Sequence, residues 1–572
     1  MFVSLRNLAI GLYITLSQAA VMTAGDYFLW TRTATSRLLR DASPTGRTAV
    51  DLAAAGNEWE SFQILMRSSR PLTVTAVEMG DLSLIAPEGK TGTISGSTAR
   101  VYRQHQFEIT VPTHRNERFQ PGWYPDALIP AVHPLTGEAL PEARFAALPF
   151  ALPAEETHGF LVDLYVPEDA TPGDYRGACR VVTKELGERE ILVTLRVWGF
   201  SLPPTPTMAT ALGSPASRMR GYYQKRKSAN KEEPPEDWEA VDAQCAELLS
   251  RHRVNATPPT EMLTPVKQPE GSYRVPDERI DALRDFIDRH RVNALQTPHP
   301  RSVVQDPIAE KETLHAWLEA FDSAAERLDR PEVVFFTYLL DEPNDEEAYR
   351  YVQKWGQAIK EADSALKVLV VEQTWPQNEN WGDLYGAVDI WCPLFSLCKP
   401  ESLERRLAEG ETAWTYTALC QLDPTPWWHT DYPLLNYRVP AWTSWKYGIT
   451  GILYWGGMVY WNDVDDVWTE PGTLDRRDRR EDLMYNGEGS LLYPGRAVGY
   501  DGVAPSLRLK ALRDGIEDYE YMAILDRLGE RETAAGHVMP LVESWFQWNP
   551  DPAAYESARR ELAKEIESAV MP

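Results

Sequence analysis

Two rhythms of hydrophobic and polar positions divide the chain. Up to about Phe200, apolar and polar residues alternate in short runs, as at 61–66, 72–77, 160–166 and 191–197. A period of two turns one face of a strand to a core and the other to solvent, so these runs predict half-buried antiparallel strands. Thr171-Pro172-Gly173-Asp174 supplies a turn between two of them. The expected unit is an antiparallel β-sandwich over residues 25–200. Within it, residues 114–152 are rich in proline and aromatics and read as a long loop able to reach a neighbouring domain. Residues 201–207 hold three prolines and form a stiff linker.

After the linker, strand-length apolar runs alternate with helix-length amphipathic segments, the pattern of parallel βα units. Strands are expected at 208–214, near Asn255, near Asn293, and at 333–341, 367–374, 388–395, 412–417 and 451–455, with helices at 238–252 and 309–328. The hexapeptide Arg-His-Arg-Val-Asn-Ala occurs at 251–256 and again at 289–294, each copy ending a helix and entering a strand. Eight strands predict a (β/α)8 TIM-like barrel over 208–500. An open doubly wound sheet is the alternative, but no glycine-rich nucleotide loop follows any strand. Residues 501–572 are expected to be helices packing on the barrel, at 507–528 and 540–570.

The fourth barrel strand carries the candidate chemistry. A continuous apolar and aromatic run ends in Asp341-Glu342-Pro343, and buried parallel strands present their chemistry at their C-terminal ends. Pro343 is expected to hold Glu342 extended, so that both acids reach one pocket. Helix initiation does not account for them, because Asn344, three residues before Glu347, and Asp345 are better caps. Tyr338, Trp375, Trp414, Tyr416, Trp455, Trp461 and Asn462 lie on or just beyond neighbouring strand ends and are candidate substrate-binding residues. Aromatic faces around central carboxylates suit a pyranose, with stacking on its C–H face and acids at the anomeric centre. Adjacent acids fit poorly with a scheme that places two carboxylates on opposite sides of that centre, about 5 Å apart in retaining enzymes. They fit substrate assistance better, in which the 2-acetamido oxygen of the sugar attacks C1.

Composition narrows the partners. The formal net charge of -26 over 572 residues disfavours phosphate backbones, so no nucleic-acid partner is expected. Arg6, an apolar stretch from Leu8 to Leu16, and Ser17, Ala19 and Ala20 read as a signal peptide over 1–24, unless Met22 is the start. The mature protein would then be secreted, periplasmic or surface-held. No later run has the roughly 18 apolar residues of a membrane span. The five cysteines form no metal signature. Cys179, Cys245 and Cys392 read as buried thiols, and Cys398 and Cys420 as a possible bridge. The segment 462–466 lacks the spacing and glycine of a calcium loop and reads as a solvated lid. No cofactor is implied, and oligomeric state is left open.

Several stretches together carry a family resemblance: Tyr338-Leu339-Leu340-Asp341-Glu342-Pro343, Gly451-Ile452-Leu453-Tyr454-Trp455 with Trp461, and Gly487-Glu488-Gly489-Ser490-Leu491-Leu492-Tyr493-Pro494-Gly495. The tail from Ser506 to Glu520 and the segment Gly56-Asn57-Glu58-Trp59-Glu60-Ser61-Phe62-Gln63 belong to the same set. The chain resembles glycoside hydrolase family 123 and its relatives of unassigned function over nearly its whole mature length. The resemblance implies a β-N-acetylgalactosaminidase-like hydrolase working by substrate assistance, with Asp341 orienting the amide and Glu342 as acid/base. Glu488 stands where relatives commonly carry Asp, and Trp455-Gly456-Gly457-Met458 lacks the polar residues expected beside a galactosamine. Arg508, Arg513, Asp518 and Glu520 are expected to form an ion-pair network holding the tail helix to the barrel. Two other readings stay open: a two-carboxylate glycosidase pairing Glu342 with Glu372, Asp423 or Asp463, and a non-catalytic glycan-binding protein.

Overall fold

The computed structural model describes residues 27–85, 91–461, 464–470, 472–474 and 483–570. The signal-peptide expectation therefore lies outside the described residues, as does Asn462. Two sheets form the N-terminal unit. One contains, in spatial order, Tyr27–Thr33, Glu58–Ser68, His158–Val166, Arg100–Ile109 and Gly122–Pro130; the other runs Ala49–Gly56, Gly187–Ser201, Gly173–Thr183, Leu72–Met79, Phe150–Leu152. Pairing is antiparallel except that Ala49–Gly56 runs parallel to Gly187–Ser201. Phe62, Ile64 and Met66 from the first sheet meet Val181, Ile191 and Val193 from the second in one core. The outer face of Glu58–Ser68 is not solvated as alternation suggested, because Ser61 and Gln63 are buried too.

What covers that face is the tail helix Leu507–Arg527, started by Ser506, whose side chain accepts from the Leu509 N–H. This helix is buried on every side rather than along one stripe, and its charges are paired across it. Arg508 Nε donates to Asp126 at 2.9 Å, and Lys510 and Arg513 donate to Asp163 at 2.6 and 2.9 Å. Asp518 accepts from Arg438 of the helix Leu435–Lys446 and pairs with Arg559 of the helix Pro552–Val570. Glu520 accepts the Thr207 hydroxyl at 2.7 Å. The network thus ties the tail to sandwich, linker, barrel and terminal helix, more widely than the helix-to-barrel role expected. Gly515 is the crossing point with Leu435–Lys446, where an added Cβ would lie 2.9 Å from the Arg438 carbonyl oxygen. The Gly56–Gln63 segment docks on the same helix. Glu58 accepts from Tyr521 Oη at 2.6 Å, and the Trp59 N–H donates to Glu517 at 3.2 Å. The terminal helix begins at Pro552, after a short hairpin of Val542–Ser544 and Gln547–Trp548, rather than near residue 540.

Beyond the linker, seven parallel strands form a nearly closed barrel, in the order Ala209–Ala211, Gly451–Leu453, Thr412–Tyr416, Ile390–Trp391, Lys367–Val371, Val334–Asp341, Ala294–Gln296. The strand expected at Asn255 does not join the ladder. There the Asn255 N–H donates to Thr210 Oγ1 at 2.7 Å, and its side-chain amide donates to the Thr210 carbonyl and to Asn293 Oδ1. The Asn293 N–H returns a bond to Asn255 Oδ1 at 3.1 Å. The repeated asparagines therefore stitch the gap with side chains, and the eighth strand of the expected (β/α)8 barrel is replaced by a pinned extended segment. Phe336, Leu369, Val371, Ile390, Trp414 and Leu453 fill the barrel interior. All five cysteines are free, which removes the Cys398–Cys420 bridge: the Cys398 thiol donates instead to the Leu394 carbonyl.

Candidate active site

Asp341 ends the strand Val334–Asp341, and Glu342 is the first residue beyond it. Glu342 is not extended. Its φ is +42°, a left-handed conformation uncommon for any residue with a side chain. A following proline disfavours the right-handed helical region but does not choose among the rest. Here side-chain partners choose: the Asn344 side-chain amide donates to the Glu342 carbonyl at 2.8 Å, and Tyr416 Oη, from another strand, donates to Glu342 Oε1. Asp345, not Asn344, caps the next helix, Glu346–Lys360, by accepting from the Ala348 N–H.

Each acid has its own tyrosine. Tyr338 Oη donates to Asp341 Oδ1 at 2.8 Å, as Tyr416 does to Glu342. Both tyrosines have their pKa raised, first by burial and then by the carboxylate each one faces. Tyr338 also feels the charge of Glu342, and the two acids are adjacent at the end of one strand. Cys420, in the loop after Thr412–Tyr416, lies nearby. Although the residue is exposed, partial desolvation of its thiol pushes it up to about 11, helped by the negative charges of Glu342, Glu488 and Asp341.

The other aromatic candidates divide. Trp375 is half-buried, with Lys399 Nζ 3.8 Å from its ring centroid. Trp455 is half-buried and donates its indole N–H to Glu488 Oε1 at 2.5 Å. Trp414 and Trp461 are each 1% exposed. Trp414 packs edge-on against Phe336 inside the barrel, while Trp461 packs against Tyr222 and donates to the Leu492 carbonyl. Those two have no face free for a sugar, and the expected stacking role is corrected to a core role for both.

Two groups outside the expected catalytic pair complete the surroundings. Glu488 sits between two left-handed glycines, Gly487 at φ +75° and Gly489 at φ +68°, and is buried. Arg508 donates to the Gly487 carbonyl at 2.8 Å, and the Gly489 N–H donates to Tyr454 Oη at 2.7 Å. Burial pushes the Glu488 carboxyl up to about 8 and the His429 imidazole down to about 3. With 3.2 Å between His429 Nδ1 and Glu488 Oε2, this is a contact of two neutral groups rather than an ion pair. The second group is Glu372, just after Lys367–Val371. It is 5% exposed and is pushed up to about 8 by burial and by the charge of Glu342. His429 carries no sequence signal, since it lies in an irregular loop with no spacing to another chemical group.

The sandwich reaches this end of the barrel through Val111, Thr113 and Asn116, but residues 114–152 are not one long loop as expected, because Gly122–Pro130 and Phe150–Leu152 are strands of the two sheets. The Thr113 N–H and hydroxyl donate to Asp431 at 2.8 and 2.6 Å, and the Asn486 side chain donates to the Val111 carbonyl at 3.0 Å. Among the described residues, no group of three or more His, Cys, Asp or Glu side chains is placed to hold a metal ion, and no helix is long and apolar enough to cross a membrane.

Residues 306–525 match the model of the glycoside hydrolase 123 catalytic domain. A family 123 glycoside hydrolase from Clostridium perfringens, studied for glycolipid glycan hydrolysis, superposes with a TM-score of 0.62 at 12% identity, covering 95% of this chain and 98% of that one. A family 5 xyloglucanase from Bacteroides ovatus covers 82% of this chain and 98% of its own, at 9% identity and a TM-score of 0.22. A family 2 member from Bacteroides cellulosilyticus covers 70% and 44%, at 9% identity and a TM-score of 0.20. No curated protein matches the sequence. The residues matched by the glycoside hydrolase 123 catalytic-domain model hold Asp341, Glu342, Glu488 and most of the tail helix.

Proposed function

We propose that this chain is an exo-acting glycoside hydrolase that removes a terminal β-linked 2-acetamido sugar, N-acetylgalactosamine, with retention. The observation that carries the reading is the adjacent acid pair, each carboxylate anchored by its own tyrosine at one barrel mouth. In the first step the acetamido oxygen attacks C1 while Glu342 gives its proton to the departing oxygen. Asp341 accepts the amide N–H, orients the group and offsets the positive charge of the oxazolinium. In the second step Glu342 takes a proton from water, which attacks C1 and reopens the ring. Two inversions give retention. Tyr338 keeps Asp341 aimed, and Tyr416 does the same for Glu342.

The same reading takes residues 1–24 as an export signal, hence a secreted or periplasmic enzyme. It takes 25–200 as the sandwich, 201–207 as the linker, 208–500 as the catalytic barrel and 501–572 as its helical extension. Trp375, Trp455 and Asn462 are the remaining sugar-contacting candidates.

Aryl 2-acetamido galactosides test the mechanism. Glu342→Gln should lower kcat by about 10²–10⁴ with a poor leaving group and far less with dinitrophenolate, which needs no proton. Asp341→Asn should be severe with both, and a thiazoline analogue of the oxazolinium should inhibit. Equal turnover of the matching 2-hydroxyl galactoside would refute assistance by the acetamido group.

A further inference from the structure

The left-handed turn at Glu342 is held from outside its own strand. The Asn344 side-chain amide donates to the Glu342 carbonyl at 2.8 Å, and Gln377 Nε2 donates to Asn344 Oδ1, also at 2.8 Å. The Gln377 backbone N–H donates to Tyr349 Oη at 3.0 Å, and that hydroxyl donates to Glu372 Oε1 at 3.2 Å. The chain of bonds crosses from the end of Val334–Asp341 to the loop after Lys367–Val371, two strands joined through Asp341 and Val371.

Ordinary structural duties leave these groups unexplained. Asp345 already caps the following helix, so Asn344 is not needed there. Glu372 is buried without a basic partner among the described residues, and a buried carboxyl is costly unless something binds it. The groups facing it are Tyr349, from the helix Glu346–Lys360, and Glu342 across the strand boundary. Burial, helped by the charge of Glu342, pushes the Glu372 carboxyl up to about 8, which favours its neutral form.

We propose that Asn344, Gln377, Tyr349 and Glu372 form a positioning relay that holds Glu342 in its left-handed turn and so fixes the direction from which its carboxyl meets the leaving-group oxygen. The inference rests on the acid/base role given to Glu342 above. The four residues act through Glu342, and their loss should mimic, in weaker form, the loss of its proton transfer. A left-handed residue released from its anchor relaxes to commoner backbone angles and carries the carboxyl away with it.

The test compares Gln377→Ala and Tyr349→Phe with Glu342→Gln on phenyl and 2,4-dinitrophenyl 2-acetamido galactosides. For both relay variants, kcat on the phenyl glycoside should fall about five- to tenfold, the worth of one hydrogen bond in a barrier. KM and turnover of the dinitrophenyl glycoside should stay within about twofold, well inside 1 kcal/mol. A merely structural role lowers both substrates alike, and that result overturns the relay. Gln377 is exposed, so its variant carries the test if the buried Tyr349→Phe protein fails to fold. If Glu342→Gln shows no dependence on leaving group, the acid/base reading itself fails. If it does while both relay variants behave as wild type, the relay alone is wrong.

Discussion

Replacing Asp163 by asparagine removes a negative charge shared by Lys510 and Arg513 while keeping the size of the side chain. Asp163 is 1% exposed and accepts from Ser61 Oγ at 2.6 Å, Lys510 Nζ at 2.6 Å and Arg513 Nη1 at 2.9 Å. Burial opposes its charge, yet Arg513 and Lys510 hold the carboxyl well below the usual carboxylate range. Removing one partner of a buried ion pair costs about 3–5 kcal/mol, because the other charge is left without compensation. That is a large part of the stability of an ordinary domain, about 5–15 kcal/mol. The penalty should depend on pH with a definite sign. Burial already lowers Lys510 to about 8 against the pull of Asp163, and losing that pull lowers it further. Where the folded lysine holds fewer protons than the unfolded one, stability rises with pH, by about 1.4 kcal/mol for each unit of separation. The cost of Asp163→Asn should therefore be greatest near pH 6 and shrink toward pH 9, where Lys510 is mostly neutral in both proteins. Urea unfolding of the two proteins at both pH values, followed by tryptophan fluorescence, measures it. A difference below about 1 kcal/mol at pH 6, far under the range for a broken buried pair, would refute the reasoning. So would a difference that does not change between the two pH values.

Two further substitutions probe the site from other directions. Gly487→Ala places a Cβ 2.2 Å from Thr430 Oγ1 and 2.9 Å from both terminal nitrogens of Arg508, at a φ of +75°. It should cost about 1–3 kcal/mol and lower activity with it, read as a drop in Tm and in kcat/KM. Tyr416→Phe removes the hydroxyl that Glu342 accepts. It should lower kcat about tenfold on the phenyl glycoside, the upper end for one hydrogen bond, and change Tm little, since the ring that packs in the barrel is kept.

The strand that carries the acids was legible because a doubly buried strand needs an unbroken apolar run, and little else produces one that ends in Asp-Glu-Pro. The tyrosine on the seventh expected strand was legible for the same reason, since Tyr416 ends an apolar run beside it. The backbone at Glu342 was not, because its conformation is chosen by Asn344 and Tyr416, one local and one brought by the fold. Trp414 and Trp461 show the limit of counting aromatics: a tryptophan at a strand end looks alike in sequence whether it faces the mouth or the layer below. The asparagine repeat was visible as a repeat, but the pinning of Asn255 to Thr210 and Asn293 depends on three separated segments meeting. The tail charges announced pairing, whereas their partners Asp126 and Asp163 lie more than three hundred residues earlier.

That distance has a consequence for how the chain can be cut or recombined. Arg508 lies with Asp126 of the sandwich on one side and the Gly487 carbonyl beside Glu488 on the other. Arg37 reinforces the link, reaching Asp126 at 3.5 Å and donating also to the Thr430 carbonyl next to His429. A fragment starting at the linker would take Asp126 and Asp163 from Arg508, Lys510 and Arg513, expose the face of the tail helix that the sandwich covers, and loosen the turn that carries Glu488. The sandwich is thus not an accessory module that could be swapped or trimmed away. It is the counterweight against which one wall of the barrel mouth is set.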